Sequence, residues 1–417
     1  MATSSAQATS QTGPPPRKSV LLDTGFLRLW AGTTASGLAT WALPFVLGLA
    51  VLDRSLTPAG LGLVLAARTA GFLAAVPVSG VLADRYSRRG VVLWAGLAAA
   101  VAAPLMAAGL GRSLPLMAAA AALAGAGQGA CRPAFQALTA EVVDIERRQQ
   151  ANAAMTLAVR GTTLVGPALT ALLALLLDIW ALLLGIGLLW LVAALVPRPG
   201  VGAPVPTGSR VSFFGEFADG MREARRHPWF VAGLAALTAV IATGYSATGV
   251  ALPLVSRDRY GTEFVLAAAM TAYTVGALAG AVLIARWRSS SPGWTALAGL
   301  AAYGFAPLSL TLPVHPAVVI AAYAVAGVGI ELFNVPWFTA IQREVEPEKL
   351  ARVSSLDFLL SYGLAPVGLA LIAPAIDAFG PRPVLAVCAL VCFLAPAAAA
   401  AAPTARHFSR SRSDLRT

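Results

Sequence analysis

The feature that most constrains this chain is its division into apolar stretches of roughly 18–23 residues, the length an α-helix needs to cross a hydrocarbon core about 30 Å thick. About twelve such stretches follow one another, near 30–51, 59–82, 90–110, 114–130, 153–176, 179–195, 230–254, 265–284, 295–312, 317–336, 358–376 and 384–401. A water-soluble fold could not hide so much apolar surface, because its exterior must be wetted. Hydrophobic residues make up 58% of the chain and charged ones only 12%, with a mean hydropathy of +0.74. A soluble domain carries about 25% charged residues. The expected fold class is an all-α membrane protein with twelve transmembrane helices.

The net charge of +11 could suggest a nucleic-acid partner. The placement of the charges argues otherwise. Arginines stand singly or in small groups between apolar runs, and no recognition motif accompanies them. One set of connecting segments holds Arg85, Arg88, Arg89, Arg132, Arg147, Arg148, Arg286, Arg288, Arg343 and Arg352, while the opposite set holds only Arg54, Arg112, Arg257, Arg259 and Arg382. By the positive-inside rule both termini are expected in the cytoplasm, in a multi-pass protein of the plasma membrane. Membrane lipids, anionic ones included, are then partners and nucleic acid is not; a monomer is expected. Cys131, Cys388 and Cys392 all fall in or beside apolar runs, where packing is the favoured role over a metal or a disulfide.

Five segments are expected: a disordered cytoplasmic tail at 1–23, a six-helix half at 24–196, a cytoplasmic linker at 197–229, a second six-helix half at 230–402 and a cytoplasmic tail at 403–417. Phe214, Phe217 and Met221 recur at helical spacing in the linker. They predict an amphipathic interfacial helix, with docking of a soluble partner as the alternative. The halves repeat. Pro133, Phe135, Ala137, Glu141 and Val142 follow the fourth stretch, and Pro336, Phe338, Ala340, Glu344 and Val345 follow the tenth in the same register. Duplicated six-helix halves are the architecture of a transporter that rocks about a central site.

Between the second and third stretches lies Gly80-Val-Leu-Ala-Asp84-Arg85-Tyr-Ser-Arg88-Arg89-Gly90. Gly80 permits close helix approach, and Asp84 can accept hydrogen bonds at a helix end. This segment resembles the signature of the major facilitator superfamily. Within that superfamily the chain looks most like the exporters of drugs and siderophores, through Phe26-Leu-Arg-Leu-Trp30-Ala-Gly32, Arg132-Pro133-Ala134-Phe135 and Gln342-Arg-Glu344-Val345. The resemblance implies the major facilitator fold over about 24–402. It also implies a loop that latches the halves together, with Gly80, Asp84, Arg85, Arg88 and Arg89 as its parts and Arg132 as the candidate partner of Asp84. Two departures stand out. Gly125 occupies the place where exporters often carry an arginine, three residues before Gln128-Gly129, and Thr170-Ala171 replaces the glycine pair that usually trails Gly166-Pro167.

Ionisable groups within the stretches are few: Arg68, Arg160 and Glu331. Burying a charge is expensive, so each is a functional candidate, here for proton coupling. Glu331 is the foremost, with a structural ion pair to Arg68 or Arg160 as the alternative reading. In the family, spans one, four, seven and ten line the cavity. That places Thr33, Ser36, Thr40, Trp41, Gln128, Tyr245, Tyr323, Asn334 and Trp337 as substrate-cavity candidates, although helix packing uses the same residue types. The mixture suits a small lipophilic organic molecule. No cofactor or metal is expected and no enzyme: His227, His315 and His407 form no catalytic cluster, and no phosphate-binding loop is present. Proton-coupled export is the expected function, with uptake by symport, or a non-transporting scaffold or receptor, as rivals.

Overall fold

The computed structural model describes residues 19–409 apart from 86, 199–212, 263 and 364. Most of the expected N-terminal tail, the first part of the linker and the end of the C-terminal tail lie outside the described residues, as do the side chains of Asp84, Arg85, Phe214 and Phe217.

The chain is all-helical. The first half comprises α1 (Thr24–Leu52), α2 (Pro58–Arg85), α3 (Arg88–Gly109), α4 (Leu114–Val142), α5 (Arg148–Leu173) and α6 (Ile179–Leu195). Helix α7 (Phe213–Arg225) occupies the predicted amphipathic stretch. The second half begins with α8 (Pro228–Val240), which passes through a π turn at Ile241–Tyr245 into α9 (Ser246–Tyr260). Then come α10 (Phe264–Arg286), α11 (Pro292–Ala301), α12 (Phe305–Thr311) and α13 (Pro316–Glu344), followed by α14 (Leu350–Gly363), α15 (Ala365–Phe379) and α16 (Pro381–Ala400). Among the described residues nine helices are long and apolar enough to cross a membrane, counting α8 to α9 as one, and α6 is a shorter apolar helix. A 3-10 turn at Ala302–Gly304 separates α11 from α12.

Polar caps mark where spans end. Asp23 accepts hydrogen bonds from the amides of Gly25 and Phe26, Ser87 from Gly90, Ser113 from Leu116 and Asp178 from Ala181. Each satisfies amides that lipid could not. At the far end of α9, Gly261 takes φ +64° and its amide closes on Arg257 O, a left-handed stop that a side chain would strain.

Within each half, the second and fourth spans meet backbone to backbone. A Cβ on Gly71 would stand 2.0 Å from Ala122 O, and one on Gly125 would stand 1.9 Å from Arg68 O. The same contact recurs between α10 and α13, where Gly276 meets Ala324 O at 2.2 Å and Gly327 meets Tyr273 O at 2.0 Å. Small residues at these crossings replace the hydrophobic driving force that lipid removes. Two cores result. One runs from Val20 to Ala193, and the other from Ala224 to Phe408 with Ala83 and Ala137 added. A small third cluster of Ala153, Ile284 and Val335 joins α5 to α10 and α13, across the halves. All three cysteines are buried and free.

The two halves touch at the end of the bundle that carries most of the arginines. Among the described residues, every hydrogen bond between them lies from Arg160 toward that basic end. Outside the spans, Glu223 of α7 gathers Lys349 at 2.9 Å, His227 at 3.4 Å and Arg226 at 3.4 Å, and Lys349 also holds Glu346 at 2.8 Å. Burial alone would push the Glu223 carboxyl up, but the hydrogen bonds and charge of Lys349 and His227 outweigh it and hold it below its ordinary value. A depressed carboxyl stabilises above its unfolded value near 4.5 and loses that contribution as pH falls through the folded one. The stability gap between wild type and Lys349→Met, read by denaturation, is therefore expected to hold at neutral pH, at about 1 kcal/mol, and to close as pH falls below 4.5. A gap independent of pH would show that Lys349 acts through its alkyl chain.

Candidate functional site

The site begins with one ion pair. Arg160 extends from α5 and contacts Glu331 of α13 through both Nε and Nη2, each 2.7 Å from Oε1. Glu331 is 1% exposed and Arg160 22%, so the carboxylate is sealed and the guanidinium borders open space. Asn334, one turn along α13, places Nδ2 3.5 Å from both carboxylate oxygens. Oε2 is thus the less tightly held oxygen. The Arg160 guanidinium also lies 5.8 Å from the Tyr273 ring. Tyr273 packs edge-on against Tyr303, which faces Tyr245 and shares a 3.1 Å hydrogen bond with Thr248. Tyr245 sits in the π turn of the seventh span and is 49% exposed. A π turn inside an α-helix rotates the residues after it and often marks a functional site.

The second centre is Arg68 in α2. The sequence left open whether Glu331 pairs with Arg68 or Arg160, and the geometry selects Arg160. Arg68 donates instead to Gln128 Oε1 of α4 at 2.6 Å and to Thr40 O of α1 at 3.3 Å. Gly125 explains the missing arginine on α4. No side chain fits at that position, because the α2 backbone at Arg68 already occupies it. The cation reaches Gln128 from the neighbouring helix.

The third layer closes the basic end. Gly80 presses on α14: a Cβ there would stand 2.3 Å from Ser355 Oγ and 2.9 Å from Ala351 O. Arg88 binds Glu141 at 2.8 Å and reaches Pro347 O of the other half. Arg89 turns toward Leu195 O at 3.5 Å. Asp84 and Arg85 end α2, with side chains outside the described residues. The expected Arg132–Asp84 partnership falls outside the described residues, because the Asp84 side chain does. Arg132 lies over the Phe72 ring at 5.8 Å. Glu141 is an α4 residue that reaches the loop, through Arg88.

Polar residues that sequence reasoning passed over complete this layer. Asn152 of α5 donates to Thr339 Oγ1 and to Gln342 Oε1 of α13, both at 2.9 Å. Gln342 in turn donates to Gln136 O at 2.9 Å, and its carbonyl accepts from Arg148. Gln149 reaches Trp287 O at 3.1 Å. Asn152 and Gln342 are 2% and 5% exposed, so these bonds form in the absence of water competition. The signal was in the sequence, since Asn152 is an uncharged amide shortly after the first repeated segment and Gln342 is one within the second. A topology count by charge does not weigh amides.

Of the other cavity candidates, Thr33 and Thr40 are buried in α1, and Ser36 donates to Thr33 O at 2.9 Å. Trp41 packs on α5, with its Cβ 3.1 Å from where a Gly166 Cβ would stand. Tyr323 is 3% exposed. Trp337 lies in the core of the second half and not on a cavity wall. It is 0% exposed, stacks on Phe230 and Phe333, and donates to Asp357 Oδ1 at 2.9 Å. Asp357 is itself 1% exposed, a further carboxyl inside the bundle. The expected span began one residue after it.

The fold is that of known transporters. The human organic anion transporter MFSD10 (TETRAN) superposes with a TM-score of 0.71 at 17% identity, over 90% of this chain and 99% of that one. FucP, an E. coli fucose:proton symporter solved in the outward conformation, gives 0.66 at 16% identity, over 90% and 98%. A bacterial homologue of the iron transporter ferroportin, outward-facing with soaked iron, gives 0.67 at 19%, over 90% and 99%. No curated protein matches the chain by sequence. Residues 29–369 match the Major Facilitator Superfamily. The chain belongs to that family, and it is a multi-pass membrane protein that works as a secondary transporter and not as an enzyme.

Proposed function

We propose that the protein exports a small lipophilic organic compound, such as a drug, natural product or siderophore, across the plasma membrane by proton antiport and alternating access. The observation that carries this reading is the Arg160–Glu331 pair, which joins the halves in the membrane core. A proton on Glu331 removes the charge that holds Arg160, so protonation and separation of the halves are linked. The arginine distribution supports a cytoplasmic basic end, which makes the described arrangement outward-open. Export is supported by the likeness of the Asp84 loop and its companion stretches to drug and siderophore exporters. Uptake by symport is the second reading, favoured by the fold shared with FucP, which is a fucose:proton symporter.

A growth-inhibition screen of an expressing strain finds a compound, and proteoliposomes then decide direction. An imposed pH gradient is expected to drive the compound against the proton flow, and movement with the protons would replace antiport by symport. Orientation has its own test. Cysteines placed at the exposed Ser87 and Thr262 are expected to label from opposite sides of intact cells, against a silent background of buried native cysteines. Labelling of both from one side would overturn the topology.

A further inference from the structure

Among the described residues Arg68 is a charge without a counter-charge. Its described partners are neutral, the Gln128 side chain and the Thr40 carbonyl. Asp84 on the same helix is sixteen residues away, about 24 Å along the axis, beyond any side chain's reach. The contrast with the other half is direct. Gly125 packs at Arg68 and Gly327 packs at Tyr273, so these two positions are equivalent in the repeated architecture. At Tyr273 the nearby cation, Arg160, is neutralised by Glu331. At Arg68 nothing described does this.

A guanidinium inside a membrane bundle is retained where it meets an anion or serves a path. Arg68 stands where α1, α2 and α4 converge, since its partners come from α1 and α4 and its own backbone is pressed against Gly125 of α4. Two donors go to neutral oxygens, and the planar fork leaves others for a carboxylate or sulfonate. Lipophilic surface is at hand in Phe72, one turn along α2, whose ring faces Arg132.

We propose that Arg68 docks the anionic group of the transported molecule, which is therefore an organic anion, a carboxylate or sulfonate on a lipophilic body. The proposal rests on the transport reading in taking this site to be the cargo's. It does not depend on direction or on proton coupling. Gln128 holds the guanidinium in place and the Thr40 carbonyl fixes its roll; the cargo supplies the missing charge.

The test is binding, without gradient or flux. The full-length protein in detergent is titrated calorimetrically with 1-naphthoate, with 1-naphthylmethanol and with 1-naphthylmethylamine, three probes of like shape and different charge. Wild type is expected to bind the acid at least about tenfold more tightly than the alcohol, the worth of a charge-assisted contact. The amine is expected to bind most weakly. Arg68→Gln is expected to erase the difference between acid and alcohol, and Arg68→Lys to keep part of it. Equal affinity for acid and alcohol in wild type overturns the proposal, as does a preference that survives Arg68→Gln, or failure of all three probes to bind at millimolar concentration. Because the wild-type charge series stands without any variant, a poorly folding mutant does not shield the idea. Failure of proton antiport in vesicles, with the acid preference intact, would count against the export mechanism and leave the anion site standing.

Discussion

Glu331→Gln is expected to abolish gradient-driven transport, at least tenfold, while substrate binding and passive exchange persist. Glutamine has the shape of a protonated glutamate but cannot release a proton, so the carrier is fixed in one protonation state. The loss of Coulomb attraction to Arg160 has a stability side as well. Breaking a fully buried pair costs about 3–5 kcal/mol when one partner is left uncompensated. Here Arg160 is 22% exposed and lies over the Tyr273 ring. Solvent and the ring together offset part of the cost, a cation–π contact supplying about 0.5–2 kcal/mol. A modest drop in melting temperature is expected, not unfolding. The double variant Arg160→Gln with Glu331→Gln separates the roles. If the pair is only structural, removing both charges restores stability and gradient-driven transport together. If Glu331 carries the proton, the double variant is stable and still uncoupled. A stable single variant with normal proton-driven transport would leave Glu331 a bystander.

The spans were legible because lipid imposes one rule on every one of them, a helix-length apolar run bounded by polar caps. What the rule does not encode is how a span is broken or where its neighbours touch it. The π turn at Ile241–Tyr245 leaves no mark in hydropathy, yet it carries Tyr245. Asp357 was passed over because the expected span began at 358. In the fold it lies inside α14, a helix that starts at Leu350, and it is answered by Trp337, a residue 20 positions earlier in the chain. The same contact removed Trp337 from the cavity wall.

The candidate site was legible as a set of residue types and not as a set of pairs. Arg68, Arg160 and Glu331 stood out because charges in apolar runs are rare. Which arginine meets the glutamate depends on the packing of α5 against α13, and sequence spacing within either helix is silent on that. The same holds for Arg88 and Glu141, whose 2.8 Å pairing depends on how α3 and α4 pack and not on spacing within either helix. Gly125 is the clearest instance. In the sequence it is a departure from an expected arginine, and in the fold it is the contact that positions Arg68 to bind Gln128.

Gly80→Leu is expected to be the most disabling change at the basic end, and to act on the conformational equilibrium more than on folding. At Gly80 the α2 and α14 helices approach so closely that a Cβ would lie 2.3 Å from Ser355 Oγ and 2.7 Å from Ser355 Cβ, well inside the ordinary contact range of 3.4–4 Å. Ser355 cannot swing away freely, being 1% exposed and bonded back to Arg352 O at 2.8 Å. Leucine therefore forces the helices apart whenever the basic end closes, at a cost of about 1–3 kcal/mol for overpacking. A shift of about 2 kcal/mol changes the ratio of closed to open states roughly thirtyfold. Alternating access needs both states, so transport is expected to fall by at least an order of magnitude. The open state does not make the α2–α14 contact, so the melting temperature is expected to stay near that of wild type. The population itself can be read at Ala153, 1% exposed within the cluster that joins the halves. In an Ala153→Cys background, thiol labelling from the basic side is expected to rise about tenfold on adding Gly80→Leu, as the closed state is depopulated. Unchanged labelling with normal transport would show that the close approach of α2 and α14 plays no part in the cycle. Faster labelling with normal transport would show that closure of this end is not what limits it.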